Sequence, residues 1–135
     1  MTQFLADTVL DVALNHLKNN VTKLILCDAS PATYADATTN NGTGTGVRLG
    51  EVTVESGDFT LADHTPGGRK VTVAAKSVSL SAAGDGSYVA WVDVTNTAVL
   101  KVLPLDAVLT GLPSSGTVNL PSHFHAFLDA EDLPE

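Results

Sequence analysis

The sequence predicts an α+β protein in which one N-terminal amphipathic helix packs on an antiparallel β-sheet or β-sandwich of about six to eight strands. Three observations predict this class. Polar residues recur at helical spacing over positions 1–20, valine and threonine number 16 each, and short apolar alternations separated by turn residues follow from position 47. β-branched side chains pack well on a pleated sheet, so their abundance favours strands. A chain of 135 residues suits a single domain that buries about two-thirds of its unfolded surface.

The helix prediction covers residues 1–20. Asp7, Asp11, Asn15 and Lys18 recur every three or four residues, with apolar residues between them, which is typical of an amphipathic helix. A helix with such a wide apolar face must cover something, either the protein's own sheet or a groove on a partner.

A compact apolar run, 21–27, follows the helix and predicts a strand. It ends at the chain's one cysteine, Cys27. An internal disulfide is therefore excluded, and the apolar neighbours predict a buried, inert thiol.

Residues 28–46 interrupt the apolar pattern with Pro31, the run 40–42 (Asn-Asn-Gly) and alternating threonine and glycine up to Gly46. A long exposed loop is predicted. A structureless segment of this length in a compact domain is unusual unless it is functional or mobile. Two interpretations stay open: a mobile surface loop, or a contact arm ordered by a neighbouring subunit.

Residues 47–128 are predicted to be mainly β. Alternating apolar pairs are separated by turn signals rich in glycine, aspartate and proline. The pairs are Val52 and Val54, Phe59 and Leu61, Val71 and Val73, and Val78 and Leu80.

The clearest strand is 88–94, which a tight turn at 94–98 connects to an antiparallel strand at 99–103. Pro104 is predicted to end that strand. Further strands are predicted at 117–120 and 124–128, before a solvated acidic tail at 129–135.

The charge balance excludes several partners. Seven Lys and Arg against fifteen Asp and Glu give a net charge of −8, which disfavours nucleic acid and anionic membrane surfaces. No secretory signal and no apolar run of membrane-spanning length is present, so synthesis in the cytoplasm is expected.

Two histidines at His123 and His125 lie on one face of an extended segment, a spacing that metal sites use, with Asp129 or Glu131 as a candidate third ligand. The alternative is a partly exposed C-terminal strand whose Phe124 is buried. We expect no functional metal and no cofactor.

The sequence predicts no catalytic residues. Asp63 and His64 are adjacent, so their side chains point apart, and no Gly-x-Ser-x-Gly motif is present. The glycines at 42–46 superficially resemble a phosphate loop, but an extended segment follows them where a helix would be needed. We expect no nucleotide site here.

Two further ligand classes are weighed. Asp58, Asp63 and Asp85 have no EF-hand spacing and are interpreted as turn residues. Trp91, with the two tyrosines, is a candidate platform for stacking a sugar ring, although a tryptophan on such a strand is more often packed in the core.

Five segments resemble small structural proteins of tailed bacteriophages, specifically the head decoration (cement) proteins of siphophage-like viruses. The resemblance covers about residues 4–120 and is carried by Leu24-Ile25-Leu26-Cys27, by 31–37, by 56–63, by 68–75 and by Val89-Ala90-Trp91-Val92-Asp93. The segments 42–46 and 123–125 have no counterpart in it.

The resemblance implies a non-enzymatic virion protein that binds the capsid exterior and braces adjacent subunits of the major capsid protein, as a homo-oligomer or as copies repeated on the lattice. Loop and helix-edge surfaces, including the arm at residues 28–46, are the expected contacts, because loops carry recognition. The predicted partner-contact residues are Pro31, Tyr34, Asn40, Asn41, Thr43 and Thr45. The alternative functions are a receptor- or glycan-binding accessory module of the virion head or tail and, less favoured, a small hydrolase.

Overall fold

The computed structural model describes residues 7–64 and 68–127. These contain nine strands and two α-helices, which confirms the α+β prediction, with nine strands where six to eight are expected. The helices are α1 (Asp7–Asn20) and α2 (Tyr34–Thr38), and Ser56–Asp58 is a 3-10 turn. The strands are β1 (Lys23–Cys27), β2 (Arg48–Thr53), β3 (Phe59–Asp63), β4 (Arg69–Val73), β5 (Lys76–Leu80), β6 (Gly84–Asp93), β7 (Ala98–Leu112), β8 (Thr117–Leu120) and β9 (His123–Phe127).

Some predictions fall on residues outside this description. They concern positions 1–6 of the predicted helix, Leu128 at the end of the last strand, and the acidic tail 129–135. Among the described residues, no helix has both the length and the apolar character that crossing a membrane requires.

The contacts divide the chain into two compact units, a division that the sequence does not indicate. Residues 21–54 and 76–120 form the six-strand unit, and the described residues of 1–20, 55–75 and 121–135 form the helix–sheet unit. The six-strand unit is a sheet with the order β7-β6-β1-β2-β5-β8. Every neighbouring pair in it is antiparallel, as predicted.

The centre of this sheet is the pair β1 and β6, which is apolar on both faces. Leu24 lies opposite Trp91, and Ile25 lies opposite Ala90. All four side chains are fully buried. Alternation along β6 correctly separates its two faces, but burial extends to both because β6 is an interior strand.

The prediction that Pro104 ends a strand is wrong, because β7 continues through it to Leu112. Among the described strands, β7 pairs only with β6 and lies at the edge of the sheet, and an edge strand tolerates a residue that has no N–H to donate. The register between β6 and β7 shifts on both sides of Gly86, which lets the longer strand follow the shorter one.

The helix–sheet unit consists of α1 and a second antiparallel sheet with the order β3-β4-β9. α1 lies against β3 and β4, and it buries Leu10 and Leu14. Arg69 in β4 donates to Asp11 of α1, with Nε 2.8 Å from Oδ1. The expected packing of the helix on the protein's own sheet is therefore confirmed within this unit.

The turn between β6 and β7 is built around a buried carboxylate. Asp93 is 4% exposed, and it accepts hydrogen bonds from the backbone N–H of Asn96 at 3.2 Å and from Asn96 Nδ2 at 2.7 Å. Thr97 has φ of 50°, a left-handed conformation that a threonine seldom adopts. The bonds to Asp93 hold the turn in this shape.

We expect Asp93→Ala to lower the free energy of unfolding by about 1–3 kcal/mol, because the donors of the turn lose their buried acceptor. Urea denaturation followed by circular dichroism measures the change. Thr95→Ala is the matched control, since Thr95 is exposed in the same turn and its substitution should change stability by less than about 0.5 kcal/mol. Equal effects of the two substitutions would contradict this account of the turn.

Candidate functional site

The candidate site is the arm, defined as residues 28–46, which the sequence indicates as a long loop. Its first half contains α2, which the sequence does not predict. Thr33 caps this helix, because its Oγ1 accepts from the backbone N–H of Asp36 at 3.1 Å. The helix buries Ala37 completely, in an apolar cluster with Ile25 and Val92 of the sheet. This half of the arm is therefore part of the core.

Asn41 links the second half of the arm to other segments of the six-strand unit. Its Nδ2 donates to Asp28 Oδ2 and to the carbonyl oxygen of Ala83, both at 2.9 Å. Its backbone N–H donates to the carbonyl of Arg48 at 2.9 Å. Because these partners lie on three separate segments, this one residue joins the start of the arm, the first residue of β2 and the β5–β6 connection.

Asn40 forms a second anchor through a polar network. Its Oδ1 accepts from Arg48 Nε at 2.9 Å and from Ser81 Oγ at 2.8 Å. Arg48 also donates to Glu51 Oε1 at 2.7 Å, and Glu51 is paired with Lys23. The network is partly buried, so its bonds are less screened by solvent than those of a surface pair.

The tip of the arm, residues 42–45, is exposed. Gly42 and Gly44 have φ of 83° and 55°, which glycine adopts without steric cost. Thr45 Oγ1 donates to Asp36 Oδ1. The tip is thus an exposed turn on an anchored base.

The structure divides the six predicted contact residues into two groups. Pro31 is buried, Tyr34 packs on the core cluster, and the amides of Asn40 and Asn41 serve as anchors. Thr43 and Thr45 are exposed at the tip. Sequence reasoning missed the anchoring role of the asparagines, although Asn-Asn-Gly is a recognisable turn signal.

Cys27 lies beneath the arm and is fully buried. Burial raises the pKa of its thiol to about 12, and the charge of Asp28 adds to the effect. Since the thiolate is the reactive form, this geometry disfavours nucleophilic chemistry at Cys27 and matches the predicted inert thiol.

The predicted metal motif lies in β9 of the helix–sheet unit. His123 Nδ1 donates to the carbonyl of Pro121 at 3.0 Å, and burial lowers the pKa of this histidine. Residues 7–64 and 68–127 contain no group of three side chains able to hold a metal ion, and the candidate ligands Asp129 and Glu131 lie outside the description.

The expectation of a buried Phe124 is wrong, since this side chain is 46% exposed. In β9 it lies opposite Thr72, whereas His123 and His125 lie opposite the buried Val73 and Val71. The alternation of the strand therefore turns the histidines toward the apolar face and the phenylalanine outward.

Trp91 cannot serve as a sugar-stacking platform, because it is 0% exposed. The two tyrosines pack against the core cluster and are only partly accessible. The aromatic candidates of the sequence analysis are thus core residues.

The acids considered for calcium make hydrogen bonds within the protein. Asp58 accepts from the backbone N–H of Glu55 and Asp85 from that of Gly111, both at 2.8 Å. Asp63 accepts from Arg69 at 2.8 Å. These bonds give each carboxylate a local structural role.

Comparison with known proteins identifies no family for this chain. No model of a protein family, no curated protein and no solved structure matches it.

Gly46 closes the arm where two stretches of backbone meet. A Cβ atom at this position would overlap the carbonyl oxygen of Asn40 and lie 2.5 Å from that of Thr39. We expect Gly46→Ala to loosen the arm and to lower the free energy of unfolding by about 1–3 kcal/mol, the usual range for overpacking. Hydrogen exchange of residues 39–48 and urea denaturation measure both effects.

Gly57→Ala is the control for this substitution, because a Cβ there meets nothing within 4 Å. It should leave exchange in the arm unchanged. If Gly46→Ala exchanged as slowly in the arm as the wild type, the close approach would not hold the arm in place.

We expect the Cys27 thiol to resist modification by iodoacetamide at pH 8 in the folded protein and to react after denaturation in urea, because burial protects it and raises its pKa to about 12. Mass spectrometry measures the modified fraction. A cysteine placed at the exposed tip, in Thr45→Cys, provides the positive control in a Cys27→Ala background. Modification of Cys27 at the rate of the tip cysteine would refute the burial argument.

Proposed function

We propose that this protein is a bacteriophage head decoration (cement) protein. It binds the outer surface of the assembled capsid and stabilises contacts between adjacent subunits of the major capsid protein. It performs no reaction in this role and uses no cofactor. The resemblance of residues 4–120 to such proteins is the reason for naming the capsid as the partner.

The observation that carries the proposal is the anchored arm. Asn40 and Asn41, directly before the tip, are bonded to Arg48 of β2, to Asp28 at the start of the arm and to Ala83, so the exposed tip has a fixed support. A preformed contact loses less conformational entropy on binding than a mobile loop does. Such an arm is suited to holding neighbouring subunits in one geometry.

A second surface supports a role in multiple contacts. Val9 and Val12 of α1 are 55% and 71% exposed. The one charged residue between them in the sequence is Asp11, which accepts a hydrogen bond from Arg69. Apolar side chains on a helix surface gain free energy when a neighbouring subunit covers them. Weak contacts of this kind become effective when many copies bind the same lattice.

The charge supports the outside of the particle as the location. A chain with a net charge of −8 is repelled by packaged DNA, and by anionic lipid as well. The proposal accordingly excludes nucleic acid and membranes as partners. It places synthesis in the host cytoplasm, where heads assemble.

The test is co-sedimentation of the purified protein with undecorated heads made from the major capsid protein of the same phage. We expect the wild-type protein to pellet with intact heads. Thr43→Arg should weaken binding about tenfold if the tip is a contact hot spot. Ser114→Arg, in an exposed turn of the same unit, is the matched control and should bind as the wild type does.

Two results would overturn the proposal. A wild-type protein that stays in the supernatant with intact heads would remove the capsid as the partner. Binding by Thr43→Arg that equals the control would remove the arm as the contact.

A further inference from the structure

The outward face of the three-stranded sheet carries an aromatic side chain and a cation side by side. Phe124 in β9 is 46% exposed. The Lys70 ammonium lies 5.1 Å from the centroid of its ring, and the ring centroid of His64 is 5.5 Å away. The exposed part of this ring is apolar surface in water, and covering it with a ligand would be favourable.

The residues around Phe124 are small and polar. Thr60 lies opposite Thr72, and Thr72 lies opposite Phe124, so these three form one row across the sheet. The next row is Ala62, Lys70 and Ala126. Neither threonine hydroxyl forms a hydrogen bond within the described part of the chain, which leaves both available to a ligand.

The described residues of this face carry a charge opposite to the net charge of the molecule. Residues 59–64, 69–73 and 123–127 include one acid, Asp63, and the outward rows contain none. Asp63 lies opposite Arg69 and is bonded to it on the helix side of the sheet. Lys70 has no carboxylate within ion-pair distance among the described residues. In a chain with a net charge of −8, this is a local positive site that suits an anion.

We infer that this face, formed by Thr60, His64, Lys70, Thr72 and Phe124, binds an acidic saccharide. The exposed part of the Phe124 ring packs against the apolar side of a pyranose. The Lys70 ammonium, which lies over the same ring, pairs with the sugar carboxylate, and the threonine hydroxyls bond to the sugar hydroxyls. An acidic peptide matches the charge but needs neither the flat aromatic surface nor the row of hydroxyls. The inference goes beyond the capsid role and does not depend on it.

The experiment uses the full chain and titrates it with tetragalacturonic acid, with a neutral galactose tetrasaccharide as the matched probe. Calorimetry should detect binding of the acidic probe at low salt and at least about tenfold weaker binding of the neutral one, since a charge-assisted bond contributes about that factor. Lys70→Gln should lower the affinity for the acidic probe about tenfold, so that the two probes bind with similar affinity. Phe124→Ala should weaken both.

The controls separate this surface from general charge effects and from misfolding. Lys76→Gln removes a cation from the six-strand unit and should leave binding unchanged. Amide chemical shifts should move at residues 60, 70, 72 and 124 when the acidic probe is added to the wild-type protein, a measurement that needs no variant to fold. Circular dichroism confirms that each variant keeps its strands.

Three results would overturn the inference. The first is that the acidic probe does not bind to the wild-type protein. The second is that the amide chemical shifts move only at other surfaces. The third is that tetraglutamate binds as tightly as the acidic saccharide, which would show that the face recognises charge alone. Capsid co-sedimentation that fails while the acidic probe still binds would count against the decoration role and leave this site standing.

Discussion

The burial of β1 against β6 is the constraint on which the six-strand unit depends. From Leu24 to Cys27 and from Val89 to Val92 every side chain is buried, on both faces of the sheet. Removal of apolar surface from water is the main favourable term in folding. Backbone hydrogen bonds to two neighbours satisfy the polar groups of both strands, so the centre of the sheet combines apolar burial with complete pairing.

The arm depends on this centre in turn. α2 buries Ala37 on the face formed by Ile25, Ala90 and Val92, which positions the segment that follows. Asn40 and Asn41 then form hydrogen bonds with carbonyl, carboxylate, guanidinium and hydroxyl groups at the sheet margin. A connection with few apolar residues is thereby held by polar bonds, which also fix where its exposed tip lies.

Much of the fold is predictable from local patterns. The amphipathic spacing in α1, the apolar run of β1 and the alternation in β6 each depend on neighbours in the sequence. Whether β7 passes Pro104 depends instead on its position at the edge, and whether Phe124 or the flanking histidines face outward depends on the partner strand β4. Both properties depend on tertiary structure, which the periodicity along one strand does not predict.

The candidate site was predictable to a smaller extent. The composition of the arm indicates a contact segment, and the exposure of Thr43 and Thr45 agrees with a tip that is open to a partner. Asn40 and Asn41 act through Ser81, Ala83 and residues of β2, partners that are distant in sequence or set by the register of the sheet. Hydrogen bonds between distant segments leave no periodic signal, so sequence reasoning assigned these side chains to a partner.

The proline in β7 also bears on how the molecule behaves in crowded conditions. An edge strand of 15 residues presents backbone groups with which a strand of another chain could pair. Pro104 interrupts that row, since it has no N–H to offer, and the shifts in register near Gly86 disturb its regular spacing. Both features oppose the addition of a strand from another copy of this protein to the edge formed by β7.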